Sequence, residues 1–153
     1  MKLRSMRLAQ FLLVLVLMMS GCNILSTDVF DETSLDRDQI EQFTGLRFPN
    51  SIEGLRFAVY QALDTTAYVT FRIPKSDLQF VLDQVSSGLT LKDNYNPFYA
   101  SMFIDKPWWQ PNSVDKFSGA EHINWQTNRA YWILVGRDDH DIHAIYMIIA
   151  TTP

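Results

Sequence analysis

The sequence predicts an α+β domain in which an antiparallel sheet of four to five strands carries one principal helix packed on one face. Two stretches of alternating apolar residues lie between positions 55 and 73, and two long apolar stretches lie between positions 129 and 151. Between these pairs, one segment has the apolar spacing of a helix. A chain of 153 residues is long enough for one such domain and too short for two.

The first two stretches predict a pair of antiparallel strands. Leu55, Phe57 and Val59 occupy every second position of one stretch, and residues 67–73 alternate in the same way. Asp64-Thr65-Thr66 lies between them and is a polar connection of hairpin length. We therefore expect a β-hairpin at the start of the domain.

The helix is predicted between Ser76 and Gly88. Ser76-Asp77-Leu78-Gln79 matches the capping-box pattern, in which a hydroxyl residue is followed three positions later by Gln. Apolar residues then recur at the spacing of one helical face, namely Leu78, Val81, Leu82 and Val85. Gly88 provides a stop, because glycine is common just after the end of a helix.

Two further strands are predicted at the C-terminal end of the chain. The ranges 129–137 and 141–151 are apolar at both odd and even positions, which is typical of strands covered on both sides. Asp138-Asp139-His140-Asp141 separates them as a polar turn. We expect these strands in the middle of the sheet.

The segment between residues 89 and 128 is predicted to be irregular, because prolines interrupt it and no period is sustained. Its most distinctive part is Lys106-Pro107-Trp108-Trp109-Gln110-Pro111. Long irregular segments in compact domains often carry function. If exposed, Trp108 and Trp109, together with Tyr99 and Trp125, could stack on a sugar ring or anchor a partner. The alternative is that one indole covers the sheet as part of the core and the other is half exposed.

The N-terminal residues have the layout of a secretory signal peptide. Lys2, Arg4 and Arg7 precede an apolar run from residue 11 to residue 19, and Ser20 and Gly21 follow it. Spanning a bilayer takes about 20 apolar residues, and this run is well short of that. We therefore expect the segment to be removed rather than kept as a membrane anchor.

Met19-Ser20-Gly21-Cys22 resembles the lipobox of bacterial lipoproteins, in which an apolar residue and two small residues precede a cysteine. The resemblance covers residues 1–22 only, and it departs from the usual pattern at Met19, where leucine is more common. It implies a diacylglyceryl group on the thiol of Cys22, cleavage after Gly21, and attachment of the mature protein to a membrane by lipid. Asn23 is not the Asp that retains such proteins at the inner membrane, which favours the outer membrane in an organism that has one. An ordinary signal peptide cut elsewhere is the alternative.

Charge excludes some partners of the mature chain. The whole chain has a net charge of -4 and the leader contributes +3, so the mature chain has about -4 - 3 = -7. Nucleic acids are bound mainly through Lys and Arg, so we expect no nucleic-acid partner. Anionic lipid is disfavoured for the same reason, which leaves the acyl chains on Cys22 as the contact with the membrane.

We expect three parts in the chain. The lipobox resemblance implies a signal peptide over residues 1–21 and an acylated N-terminus at Cys22, composition predicts a flexible acidic tether up to residue 42, and residues 43–153 are expected to form the single α+β domain. The tether assignment follows from six acidic residues against one Arg between positions 23 and 42, since such a stretch cannot bury enough apolar surface to fold. A short helix over residues 35–43 is the alternative for its last third.

No catalytic motif is found, and Cys22 is the only cysteine, so acylation would leave no thiol for catalysis or zinc binding. The acidic and histidine residues around the last turn could contribute to a metal site, and they are Asp138, Asp139, His140, Asp141 and His143, with Glu121 and His122 as distant additions. Such a cluster in a tight turn is more often a solvated hairpin tip, so we expect neither a metal nor another cofactor.

These observations predict a noncatalytic, membrane-anchored bacterial lipoprotein that binds another protein of the cell envelope. The first alternative is a binder of a glycan or a small apolar molecule, which would use the tryptophan-rich segment. The second is a metal-assisted hydrolase that would use His140 and His143.

Overall fold

A computed structural model describes residues 28–30, 35–61, 64–102, 104–137 and 141–151. Within these ranges the chain forms a seven-stranded antiparallel sheet with the strand order β1-β2-β3-β7-β6-β5-β4, together with two α-helices. The strands are β1 Asp28–Phe30, β2 Glu53–Gln61, β3 Thr65–Pro74, β4 Lys92–Asp93, β5 Phe117–Asn124, β6 Arg129–Arg137 and β7 Ile142–Thr151. The helices are α1 Arg37–Thr44 and α2 Lys75–Val85. Gly21 and Cys22 lie outside the described residues.

The α+β class and the antiparallel sheet are confirmed, and the predicted strand count of four to five is low. Five strands are long, and the other two are short edge strands, β1 and β4. Segments of three and two residues are too short to show an alternating pattern. The β2–β3 hairpin is confirmed, with Gln61 opposite Thr65.

The two C-terminal strands lie at the centre of the sheet, as predicted. β7 pairs with β3 on one side and with β6 on the other. Met147 on β7 is opposite Val69 of β3 and Ile133 of β6, and all three side chains are buried. Both sides of these strands are covered, which explains why apolar residues occupy both odd and even positions over most of their length.

One side of the sheet, hereafter the helix face, is covered by both helices. Val81, Leu82 and Val85 of α2 pack into a core with residues of β2, β3, β6 and β7. Phe43 of α1 packs edge-on against Phe57 of β2, with ring centroids 5.4 Å apart. Burying each such side chain stabilises the fold by about 1.5–3 kcal/mol.

The start of α2 differs from the prediction. The helix begins at Lys75, directly after the last residue of β3, Pro74, and no side chain caps its first N–H groups. The hydroxyl of Ser76 donates to Asp77 at 3.2 Å rather than accepting from Gln79. The capping box predicted at Ser76 is therefore wrong. The helix ends at Val85, three residues before Gly88.

The capping box lies instead at the start of α1. Gln39 N–H donates to the carboxylate of Asp36 at 2.9 Å, and Asp36 N–H donates to the side-chain oxygen of Gln39 at 2.9 Å. Ile40 of this helix is buried in the main core. Residues 37–42, which composition assigned to the tether, therefore belong to the folded unit, and the domain start predicted at residue 43 is too late.

The buried carboxylate of Glu41 holds α1 against the segment that follows it. It accepts hydrogen bonds from Phe48 N–H at 2.9 Å, from Arg37 Nε at 3.1 Å and from Arg47 Nη1 at 3.0 Å. The Phe48 N–H is the main reason that the pKa of Glu41 lies below its usual value, and the two arginines lower it further against the opposing effect of burial. A buried carboxylate is stable here because several donors surround it.

The opposite side of the sheet, hereafter the aromatic face, is covered by residues of the segment between β4 and β5, namely Phe98, Met102, Ile104, Trp108 and Trp109. Phe98 and Trp109 from this segment pack with Tyr68, Leu134 and Ile148 of the sheet. The segment 89–128 is thus only partly irregular, because its last third contains β5. It has two short 3-10 turns, Ala100–Met102 and Pro111–Ser113.

Candidate functional site

The paired tryptophans of the predicted ligand site take different environments. Trp109 is 4% exposed and packs edge-on against Tyr68 and Tyr146, with centroid distances of 5.2 and 5.5 Å. Trp108 is half-buried and meets Trp109 at 6.0 Å, also edge-on. Trp109 is therefore part of the core of the aromatic face.

The surroundings of Trp109 consist of packed aromatic and aliphatic side chains. Burial raises the pKa of the Tyr68 phenol, with Tyr60 adding to the effect, and burial also raises the pKa of Tyr146 against a hydrogen bond with Ser113. The indole nitrogens of Trp108 and Trp109 are buried, and neither has a hydrogen-bond partner within the described ranges. Stacking of a ligand on both indoles is disfavoured because Tyr68 and Tyr146 pack against the ring of Trp109, which is buried.

Tyr99 and Trp125, the other two predicted ligand residues, lie on the surface near β5. Tyr99 is 57% exposed, and its hydroxyl contacts Glu121 of β5 at 3.5 Å. Tyr95 donates to the same carboxylate. Trp125 is 75% exposed in the turn that joins β5 to β6. The four predicted residues therefore lie in two places. Trp108 and Trp109 pack together on the aromatic face, whereas Tyr99 and Trp125 are exposed near β5.

Trp125 is held on a structured turn. The side chain of Asn124 accepts hydrogen bonds from Gln126 N–H at 3.0 Å and from Thr127 N–H at 3.2 Å. Asn128 adopts a left-handed conformation with φ of 50°, which asparagine tolerates better than most residues. Such local bonds fix the backbone beneath the indole, so Trp125 is presented to solvent by a turn of defined shape.

Next to this turn, β5 has an edge that no described strand covers. The short strand β4 pairs only with Ser118 and Gly119, so residues 120–124 of β5 have no partner strand on the outer side in the part of the chain that the structure describes. Asn94 N–H bonds to Phe117 C=O on that side. Backbone groups of alternate residues point to the same edge, which places those of Glu121 and Ile123 outward.

Four exposed residues on β5, beside it and on the turn that follows it define what we call the β5 edge surface, namely Tyr99, Glu121, Ile123 and Trp125. Ile123 is 47% exposed. An exposed apolar surface bordered by polar groups is typical of a binding site. Glu121 lies on β5, opposite Trp132 of β6, and Trp125 lies on the turn that joins these two strands.

Those residues considered for metal binding that the structure describes, Glu121, His122, Asp141 and His143, do not form a metal site. Asp138, Asp139 and His140 lie outside the described residues. Among the residues that are described, no three His, Cys, Asp or Glu side chains lie close enough to hold a metal ion. Glu121 and His122 are adjacent on β5 and point to opposite faces of the sheet.

His143 lies on the helix face and lines a cavity of about 370 Å³ between α2 and the sheet. The other lining residues come from α2, from the segment that follows it and from four strand ends, and they are Lys75, Leu78, Leu91, Asp93, Ser118, Val135, Arg137 and Asp141. Sequence reasoning missed most of them because they are dispersed along the chain. One sequence signal bears on two of these residues. Because side chains alternate along β6, Val135 and Arg137 are expected on the same face of the sheet.

The polar groups of this cavity are connected in part. Ser118 Oγ donates to Asp93 at 2.7 Å, and Arg137 contacts both residues. The Ser118 hydroxyl, followed by Arg137, lowers the pKa of Asp93. A serine nucleophile requires its hydroxyl to be bonded to a base such as histidine, and the Ser118 hydroxyl is bonded to Asp93 instead. The arrangement is that of a structural ion pair beside a cavity.

Comparison of the chain with protein-family models, curated proteins and solved structures finds no match in any of the three. Neither α1 nor α2, the helices of the described ranges, has the length and apolar character needed to cross a bilayer.

Proposed function

We propose that this protein is a lipid-anchored module of the bacterial envelope that binds an extended segment of a partner protein along the β5 edge surface. The observation that carries the proposal is Trp125, which is three-quarters exposed on a fixed turn next to an uncovered strand edge. The anchor is proposed from the sequence around Cys22 alone.

The aromatic and aliphatic side chains of the surface supply the energy of binding. Tryptophan and tyrosine are the residues that most often dominate binding energy at protein interfaces, since they bury a large area with few rotatable bonds. Trp125 and Ile123 flank the position where β5 ends. A partner that covers both would bury apolar surface that the free protein leaves in water.

The backbone of the β5 edge would set the orientation of the bound partner segment. Outward N–H and C=O groups of Glu121 and Ile123 can pair with an extended chain, which is the general mode of strand addition to a sheet edge. Glu121 and the net charge of about -7 on the mature chain favour a partner segment with basic residues, because opposite charges steer association. The partner segment should therefore alternate apolar residues with Lys or Arg.

The position of the surface favours a protein over the lipid bilayer. β1, the described strand nearest to Cys22 in sequence, forms one edge of the sheet, and β5 lies five strands away. At about 4.8 Å per strand spacing this is about 24 Å. The acidic mature chain also repels anionic lipid.

Photocrosslinking in living cells tests this proposal. A photoreactive amino acid at Ile123 should give one adduct with a specific envelope protein, and the Trp125→Ala variant in the same background should reduce it. The same amino acid at Asp83, an exposed residue of α2, is the matched control and should not give that adduct. An adduct with the mass of two copies, adducts with lipid only, or equal yields at both positions would overturn the proposal.

The alternative functions have less support. A glycan binder that stacks on both indoles conflicts with the buried position of Trp109. A metal-assisted hydrolase would need further ligands beside His143, and Glu121 is already bonded by Tyr95.

A further inference from the structure

We infer that the cavity between the start of α2 and the sheet is a binding site for a small carboxylate with a short apolar body. The cavity is on the helix face and is separate from the β5 edge surface. Its volume of about 370 Å³ is within the range of small-molecule sites, near the lower end.

The walls of the cavity fit the apolar part of such a ligand. Leu78 of α2, Leu91 and Val135 of β6 line it. All three contribute to the main core or pack against it, so these walls are backed by buried side chains. Small-molecule sites are mostly apolar and contain a few polar groups that orient the ligand.

The polar side of the cavity is rich in donors. Lys75 and Arg137 line it from α2 and β6, and His143 lines it from β7. Lys75 is the first residue of the eleven-residue helix α2; its N–H bonds to the carbonyl oxygen of Asp141 at 2.9 Å, and no side chain caps the N–H groups that follow. The positive end of the helix dipole therefore adds to these charges. A carboxylate accepts hydrogen bonds only, so it matches a site with more donors than acceptors.

His143 gives an independent indication of a ligand. The residue is 7% exposed, and its Nδ1 atom is buried without a hydrogen-bond partner in the described part of the chain. Buried polar atoms without partners are rare in folded proteins, and one beside a cavity indicates a group that binds there. In the tautomer that has its proton on Nδ1, this nitrogen would donate a hydrogen bond to a ligand carboxylate.

The acidic groups at the cavity limit the negative charge of a ligand that could bind there. Asp93 is paired with Arg137 and Ser118, and Lys75 and Asp141 are both exposed, so water screens both of these charges. The formal charges of Lys75, Arg137, Asp93 and Asp141 sum to zero. A doubly charged phosphate is therefore disfavoured, and a singly charged carboxylate that pairs with Lys75 is favoured.

A titration of the full-length protein in lipid nanodiscs tests this inference. The protein is labelled with ¹⁵N-histidine, and the His143→Asn variant assigns the signal of His143 among the three histidines. Sodium hexanoate should shift the His143 ring signals saturably. Hexanamide, which has the same length without the charge, should not shift them.

Two charge variants of the protein complete the test. Lys75→Gln should weaken hexanoate binding about tenfold, because one charged hydrogen bond is lost. Lys116→Gln removes a positive charge from an exposed residue that does not line this cavity and should leave the affinity unchanged. No saturable shift in the unmodified protein, an equal response to hexanamide, or an unchanged affinity in Lys75→Gln would overturn the inference. These outcomes do not depend on whether the β5 edge surface binds a protein.

Discussion

Arg129, the first residue of β6, donates a hydrogen bond from Nη1 to the carbonyl oxygen of Thr44, the last residue of α1, at 2.8 Å. A second bond at 3.1 Å joins Nη2 to the carbonyl oxygen of Phe43. The guanidinium thus neutralises the negative end of the helix dipole and ties α1 to the sheet. The two elements are 85 residues apart in sequence, so this cap forms only in the folded domain.

Gly45 leaves the space that this cap needs. It adopts φ of 72°, and a Cβ atom there would overlap Arg129 Nη1. Gly88 has nearly the same conformation, φ of 75°, with open space around it. Gly88→Ala should therefore lower the free energy of unfolding by about 1 kcal/mol from backbone strain, and Gly45→Ala by about 2–4 kcal/mol, because the Arg129 bonds are also disturbed.

Urea denaturation of both variants checks this difference. In an Arg129→Ala background, the effects of Gly45→Ala and Gly88→Ala should become similar, since the overlapping group is gone. Equal effects in the unmodified background would mean that Arg129 does not limit the space at Gly45.

Glu41 should make stability depend on pH. Its folded-state pKa is lowered, chiefly by Phe48 N–H, so its contribution is present above the ordinary pKa of glutamate and is lost as pH falls through the lower folded value. Glu41→Gln should lower the free energy of unfolding by about 2–4 kcal/mol at neutral pH. The variant should also lose part of the decline of stability below about pH 5.

Denaturation at several pH values measures this effect. Asp64→Asn removes an exposed carboxylate and is the matched control, so its pH profile should follow that of the unmodified protein. If the profile of Glu41→Gln also follows it, the carboxylate of Glu41 does not provide the proton linkage described here.

Trp109 and Trp125 should differ sharply in their contribution to stability. Trp109→Ala leaves a hole in the core of the aromatic face and should cost about 3–5 kcal/mol. Trp125→Ala removes an exposed side chain and should change the free energy of unfolding by less than about 0.5 kcal/mol. Thermal or chemical denaturation of the two variants decides the matter, and a large loss in Trp125→Ala would show that this indole is structural.

Cys22→Ser should release the protein from membranes. Serine cannot form the thioether to a diacylglyceryl group, so the variant should not incorporate labelled palmitate, whereas the unmodified protein should. Fractionation of cells should place the unmodified protein with membranes, and mass spectrometry should find the lipid on the N-terminal residue. Ser26→Ala is a control that leaves the lipobox-like segment intact and should not alter fractionation. A mature protein with an unmodified thiol would contradict the anchor.

The long periodic segments of the fold were predictable from sequence, and β6 is the best example. Its predicted range, 129–137, is the observed one, because six consecutive hydrophobic residues, 130–135, lie between two polar turns. β5 was missed since Ser118, Gly119 and Ala120 have low strand propensity. Gly119 is needed there because a Cβ atom would overlap the Tyr95 carbonyl oxygen, which is a contact that the local sequence does not reveal.

The capping boxes show a different limit. Asp36 and Gln39 carry the pattern just as Ser76 and Gln79 do, and only the first pair forms. At α2 the strand β3 continues to Pro74 and the helix follows directly at Lys75, two residues earlier than a cap at Ser76 requires. Tertiary structure, which sets where β3 ends, overrides the local signal there.

The candidate sites were less predictable than the fold. Tyr99 and Trp125 were chosen as aromatic residues in an irregular segment, and their exposure is set by which strands pair with β5. Asp93, Ser118 and His143 meet at one cavity through the register of β4, β5, β6 and β7. A single sequence does not specify that register, so the cavity could not be found from it.

The early start of the sheet limits how far the domain can move from its anchor. Asp28, the first residue of β1, is six positions after Cys22. Fully extended, those residues reach only about 20 Å. If Cys22 carries lipid, the domain stays within this distance of the bilayer and diffuses laterally with it. A protein anchored in the same leaflet would then meet the domain at a high local concentration. Even a weak strand-to-strand contact would then suffice to keep the two together.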